Sequence, residues 1–151
     1  MSSIPELGVD VDALFVANSA ELQSGLVYVL GGAWTRCWPA EAQDYPYERI
    51  IPVVTVFRVP WGETNVSHKF RIRALDDDNN ELAAPAEGVF KAGRQPDLTD
   101  GASQVVVATL AAKVRLARPG LYYIAVEVNE AEKRRIQFEA IDPPGRAGVR
   151  H

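Results

Sequence analysis

The stretch RIRALDDDNNEL, residues 71–82, contains six consecutive acidic or amide residues, Asp76 to Glu81. Oxygen ligands at alternate places suit a hard cation, and an EF-hand loop supplies them at its positions 1, 3, 5, 7 and 12. Counted from Asp76, those places hold Asp76, Asp78, Asn80, Leu82 and Glu87. Position 6, however, must be glycine for the sharp reversal, and Glu81 stands there. The preceding residues alternate like a strand rather than an entering helix, and Pro85 interrupts the segment where an exit helix would begin. Asp and Asn tolerate left-handed backbone and bond to their own turns, so a hairpin tip accounts for the same residues with fewer demands. The turn is the favoured reading, and no metal ligands are assigned.

Other residues capable of chemistry are few. His68 and His151 are the only histidines. His68 follows Ser67 directly, and neighbours on one strand point to opposite faces, so the pair cannot converge as nucleophile and base. His68 is expected to be a partly buried, hydrogen-bonded residue. The competing reading is a small hydrolase using His68 with Glu63 or Asp76, and it requires hydrogen-bonding reach between them. Cys37, the only cysteine, lies in WTRCWPA and reads as a small buried hydrophobe without a local base to activate it. LGGAW has two glycines but neither the lysine nor the helix of a phosphate loop. No catalytic residue and no cofactor is assigned.

Aromatic residues beside Pro-rich loops offer contact area with a polar handle. Trp34 and Trp61 are expected to seal the ends of the fold, whereas Trp38, Tyr45 and Tyr47 fall in the loop-like stretch WPAEAQDYPYE. Together with Arg94 and Asp97 of FKAGRQPDLTDGAS they form the candidate binding surface, on the expectation that both loops share one end. Lys69, Arg71 and Arg73 alternate with apolar residues, and AEKRRIQ adds Lys133, Arg134 and Arg135. In one sheet these would make a basic patch able to steer an acidic partner, although charge on a strand face more often serves solvation and edge protection.

The elements that must position these groups are strands. In HKFRIRAL, Phe70, Ile72 and Ala74 share one phase and Lys69, Arg71 and Arg73 the other, the signature of an antiparallel strand with one buried face. Val9–Asn18, Gly25–Trp34, a strand beginning after Pro52, SQVVVATLAAKVRL and the pair GLYYIAVEVNE and KRRIQFEAI read similarly. The last two form a hairpin around Asn129, Glu130 and Ala131. NSAELQSG suggests a short helix ended by Gly25, and PWGETNVS a short turn opened by Pro60. About eight short strands with one or two helical turns define an all-β, antiparallel two-sheet β-sandwich, with a barrel as the alternative closure.

The 151 residues have the length of one domain, with 47% apolar and 24% charged residues and a formal charge of −4. The expected organisation is a flexible N-terminus over 1–8, one domain over 9–142 and a flexible tail over 143–151. The acidic balance argues against nucleic acid, and no apolar run suggests a bilayer span. One cysteine and no basic, apolar leader point to a cytoplasmic setting.

Four stretches, LVYVLGGAWTR, FRVPWGETNVSHKFRIRALDDD, FKAGRQPDLTDGASQ and RPGLYYIAVEVNE, stand in this order along the chain. Together they resemble a family of short, uncharacterised bacterial proteins, a domain of unknown function, over about Ala13 to Ile141. The resemblance implies a compact all-β domain in bacteria and supplies no activity. RPGLYYIAVEVNE followed by KRRIQFEAI also looks like the closing hairpin of immunoglobulin-like sandwiches, although a single cysteine excludes the antibody disulfide. The expected role is a non-catalytic binding or assembly module with a protein or small ligand as partner, and a homodimer through sheet edges as a further possibility.

Overall fold

The computed structural model describes residues 8–40 and 43–144. The expected flexible segments therefore fall almost wholly outside the described residues.

Nine strands follow in chain order: β1 (Asp10–Gln23), β2 (Leu26–Gly32), β3 (Arg36–Cys37), β4 (Tyr47–Val59), β5 (Ser67–Asp76), β6 (Ala86–Lys91), β7 (Gln104–Leu116), β8 (Gly120–Val128) and β9 (Ala131–Ala140). They form two sheets, one ordered β2-β1-β4-β7 and the other β3-β9-β8-β5-β6. All pairings are antiparallel except the short β3–β9 contact. The chain is all-β in two sheets, as the period-two spacing predicts. A 3-10 turn, Trp61–Glu63, is entered through Pro60 as expected.

The core lies between the sheets and draws on alternate residues of both. Val11, Leu14, Val16, Ile51, Val53 and Phe57 supply it from the first, while Phe70, Ile72, Ile124, Val126 and Phe138 supply it from the second. Phe57 stacks on Phe90 at 4.6 Å between ring centroids and lies 5.2 Å from Phe70, so one ring ties β4 to both β5 and β6. Gly88 sits opposite Phe70 in the β5–β6 ladder. A Cβ at Gly88 would stand 2.5 Å from the Phe70 ring, so the absence of a side chain lets that ring lie across the strand.

Three expectations need correction. NSAELQSG is not helical: β1 runs on to Gln23, and Ser24 (φ 52°) with Gly25 (φ 76°) make the tight turn into β2. Two successive positive φ values are the geometry of a type I′ hairpin turn, whose twist matches the strands it joins. Pro52 does not precede a strand but stands inside β4. The β1–β4 ladder ends at Val16 and Val53, one residue before it, so the missing N–H falls where no β1 partner is present. Beyond that fork β1 pairs with β2 alone, leaving residues 17–32 as a two-stranded hairpin. WPAEAQDYPYE is not wholly a surface loop, because Tyr47 opens β4 with its ring buried. The predicted β8–β9 hairpin is present, with Asn129 (φ 50°) and Glu130 (φ 73°) as its turn and Ala131 already paired with Val128.

Candidate functional site

The acidic run closes on itself. Asp76 Oδ1 accepts from the backbone N–H groups of Asp78 and Asn80, both at 2.9 Å, and Asp76 Oδ2 accepts from Asn80 Nδ2 at 3.3 Å. Backbone bonds from Asp76 N to Asn80 O and from Asn79 N to Asp76 O complete the reversal, with Asn79 in the left-handed region at φ 63°. These donors, the Asn80 backbone N–H foremost, hold the Asp76 carboxyl below the usual carboxylate range. The flanking groups are engaged as well. Tyr123 donates to Asp77, Arg135 to Asn79, and Glu81 pairs with Arg73 at 3.0 Å. Glu87 lies on β6, paired with Arg71 at 3.3 Å, rather than on an exit helix. No cluster of three or more His, Cys, Asp or Glu residues able to hold a metal occurs among the described residues. The segment is a turn tied by an aspartate.

His68 is a structural latch. It is 2% exposed, and its ring stacks obliquely on Phe90. Nε2 lies 3.0 Å from the Glu63 carbonyl oxygen and Nδ1 lies 3.1 Å from Asn129 Nδ2. The geometry selects the tautomer that donates from Nε2 to Glu63 and accepts at Nδ1 from Asn129. Asn129 in turn accepts from Lys69 N and donates its own N–H to Lys69 O, so His68 joins the 3-10 turn to the β8–β9 turn across β5. The Glu63 carboxylate lies 3.7 Å from Nε2, outside the hydrogen-bonding reach that the hydrolase reading requires, and both ring nitrogens are already occupied. Neither described depression includes His68 in its lining.

The five candidate binding residues do not share an end of the molecule. Arg94 lies over Trp61 at 3.5 Å and donates to the Trp61 carbonyl at 2.7 Å and to Thr64 Oγ1 at 3.1 Å, so it clamps the 3-10 turn beyond the last residue of β4. Asp97 is exposed in the loop leading from β6 to β7. Tyr45 and Tyr47 sit at the opposite, opening end of β4, in edge-to-face contact at 5.3 Å. Tyr45 donates to the Ile141 carbonyl at 2.5 Å, and burial raises the pKa of both phenols. Trp38, on the same side as the tyrosines, remains accessible at 43%. Cys37 is free and buried beside Tyr47, and desolvation pushes its thiol up, which disfavours the nucleophilic thiolate at neutral pH.

The basic residues do gather on one sheet, since β5 and β9 both flank β8. Acidic neighbours interleave with them: Arg73 meets Glu127 as well as Glu81, and Arg135 meets Glu132 at 2.8 Å. A depression of about 440 Å³ on this face is lined by Lys69, Arg71, Glu87, Val89, Glu127 and Glu130. A second, of about 210 Å³, is lined by Asp76, Leu82, Arg118 and Tyr122 among others. The surface is a mixed ion-pair lattice rather than a basic patch.

What the sequence reading missed is apolar. Leu26, Tyr28 and Leu30 of β2 are 62%, 55% and 72% exposed. They alternate along the strand and are paired with Gln23, Glu21 and Ser19, so all three share one face of the forked hairpin. Their period-two spacing was visible in GLVYVL, but spacing alone does not say which face of a strand is covered.

Fold and site together define a two-sheet all-β domain in which His68, Asp76 and Arg94 are engaged in structural contacts. The model of a family of unknown function, DUF6941, matches residues 12–141, and the chain belongs to that family. No curated protein matches it. No helix among the described residues is long and apolar enough to cross a membrane.

Proposed function

We propose that this domain is a non-catalytic binding module that engages a protein partner through the β1–β2 hairpin. The observation that carries the reading is the row Leu26, Tyr28 and Leu30, exposed together on strands that, among the described residues, pair with nothing else beyond the fork. Large apolar side chains gathered on one exposed face mark interaction sites, whereas scattered ones do not. Glu21 stands opposite Tyr28, so the partner is an apolar protein surface carrying a basic residue that meets Glu21. The short apolar row suits a protein contact better than either polar depression suits a small ligand.

An immunoglobulin-like sandwich fits the same reading. The chain crosses from β4 in one sheet to β5 and β6 in the other, returns as β7, and crosses again to β8 and β9. Tyr122, near the start of β8, donates its hydroxyl to the Arg118 carbonyl at 2.5 Å, the arrangement called a tyrosine corner in such sandwiches. A bacterial, cytoplasmic setting belongs to this proposal, the first on the family resemblance and the second on a single free, buried thiol.

A triple substitution, Leu26→Ser, Tyr28→Ser and Leu30→Ser, tests whether the row is free for a partner. Because the three side chains are largely exposed, each change is expected to alter stability by about 0.5 kcal/mol or less, read by urea unfolding. A total loss above about 3 kcal/mol would show that the row supports the fold itself and would remove the proposal.

A further inference from the structure

We infer that two copies of this chain associate through β7, antiparallel, joining their four-stranded sheets into one. This surface is distinct from the β1–β2 hairpin, and the inference stands apart from the function proposed there.

Among the described residues β7 pairs with β4 on one side and with nothing on the other, along all 13 of its residues. Residues 105–112, VVVATLAA, contain no charge, no proline and no glycine. Monomeric sheets blunt a free edge with lysine, proline or a bulge, and this tract carries none of them. The inward-facing side chains are also incompletely covered. Val106, Ala108, Leu110 and Ala112 lie on the core phase yet are only partly buried, unlike Val114 and Leu116 further along. Phe90, on the edge strand of the other sheet, is likewise only partly buried.

Charge chooses the occupant and its direction. The loop entering β7 carries Asp97 and Asp100 beyond Arg94, which is held on Trp61, while Lys113, paired with Glu48 at 3.4 Å, and Arg115 close the strand and Arg118 follows it. A second copy laid antiparallel sets each acidic entry against the other copy's basic exit, twice by symmetry. A parallel copy would set like against like. With the two-fold axis at Thr109, Val107 faces Ala111 of the second copy and Arg115 faces Ser103.

The backbone directions follow from the ladder. Ala33 N donates to Val16 O, so the polar groups of Val16 face β2. Alternation then turns those of Val53 toward β7 and those of its partner Leu110 toward β4, leaving the N–H of Thr109 on the free edge. Thr109→Pro therefore removes one outward donor and spares the β4 ladder.

Sedimentation velocity on the full chain at about 100 μM, well above micromolar dissociation constants, is expected to give a dimer. Thr109→Pro should raise the dissociation constant at least tenfold while the circular dichroism of the fold is kept. A charge test runs in parallel, should that variant fail to fold. Asp97→Lys/Asp100→Lys and Arg115→Glu/Arg118→Glu should each be monomeric alone and dimeric when mixed, because the mixture restores opposite charges at both ends. A monomeric wild-type chain, a folded Thr109→Pro variant that dimerises as tightly as wild type, or charge variants that each self-associate undiminished would overturn the inference.

Discussion

Phe57→Ala is expected to lower the unfolding free energy by about 3–5 kcal/mol, the range for emptying a buried phenylalanine site. Phe57 has no exposed surface and packs against Phe70 of β5 and Phe90 of β6. Its loss thus opens a cavity shared by both sheets, and collapse around the gap would need three strands to move together. A folded domain commonly has only about 5–15 kcal/mol in hand, so the variant should unfold at markedly lower urea concentration. A cost below about 1.5 kcal/mol, comparable to trimming one methyl group, would mean that the sheets are not held together at this ring cluster.

His68→Ala is expected to cost about 2–4 kcal/mol, combining a cavity with the loss of two buried hydrogen bonds. The two causes separate in a second variant. Asn129→Ala leaves the imidazole in place but strips its Nδ1 partner and the bond to Lys69 N, so it should cost about 1–3 kcal/mol. The double variant should cost less than the sum of the two, because both remove the same His68–Asn129 bond. Strict additivity would contradict the latch. So would a His68→Ala variant that unfolds like wild type.

Much of this was legible in the residues. HKFRIRAL shows the period of two without interruption and is β5, its apolar phase in the core and its basic phase outward. The turn chemistry of DDDNN and the hairpin at Asn129 followed from the tolerance of Asp and Asn for left-handed backbone. Where the pattern misled, a competing preference was strong. AELQ favours helix by intrinsic propensity, yet Ala20 and Leu22 pair with Val29 and Val27, and that strand pairing overrides it. Pro52 marks the start of a strand only if neighbours lie on both sides, and the fork in the sheet removes one of them.

The candidate site was less legible, because it depended on distances that span the chain. Tyr45 and Tyr47 sit among Pro, Asp and Glu and read as loop residues. Only the fold shows that Tyr47 opens a 13-residue strand and that Tyr45 reaches Ile141. Loop composition puts Arg94 and the tyrosines together, but β4 runs its whole length between them. The exposed row on β2 follows from where β1 and β4 part, a tertiary event that no local pattern records.

The most direct test of the proposed binding role is site-specific photo-crosslinking from position 28 in living cells. A photoreactive amino acid replacing Tyr28 is expected to give a discrete adduct with another protein. The same group at Lys133, on the opposite sheet, should give none of that mass. If position 28 gives no adduct, or only the products seen from position 133, the β1–β2 hairpin is not the surface through which this domain acts.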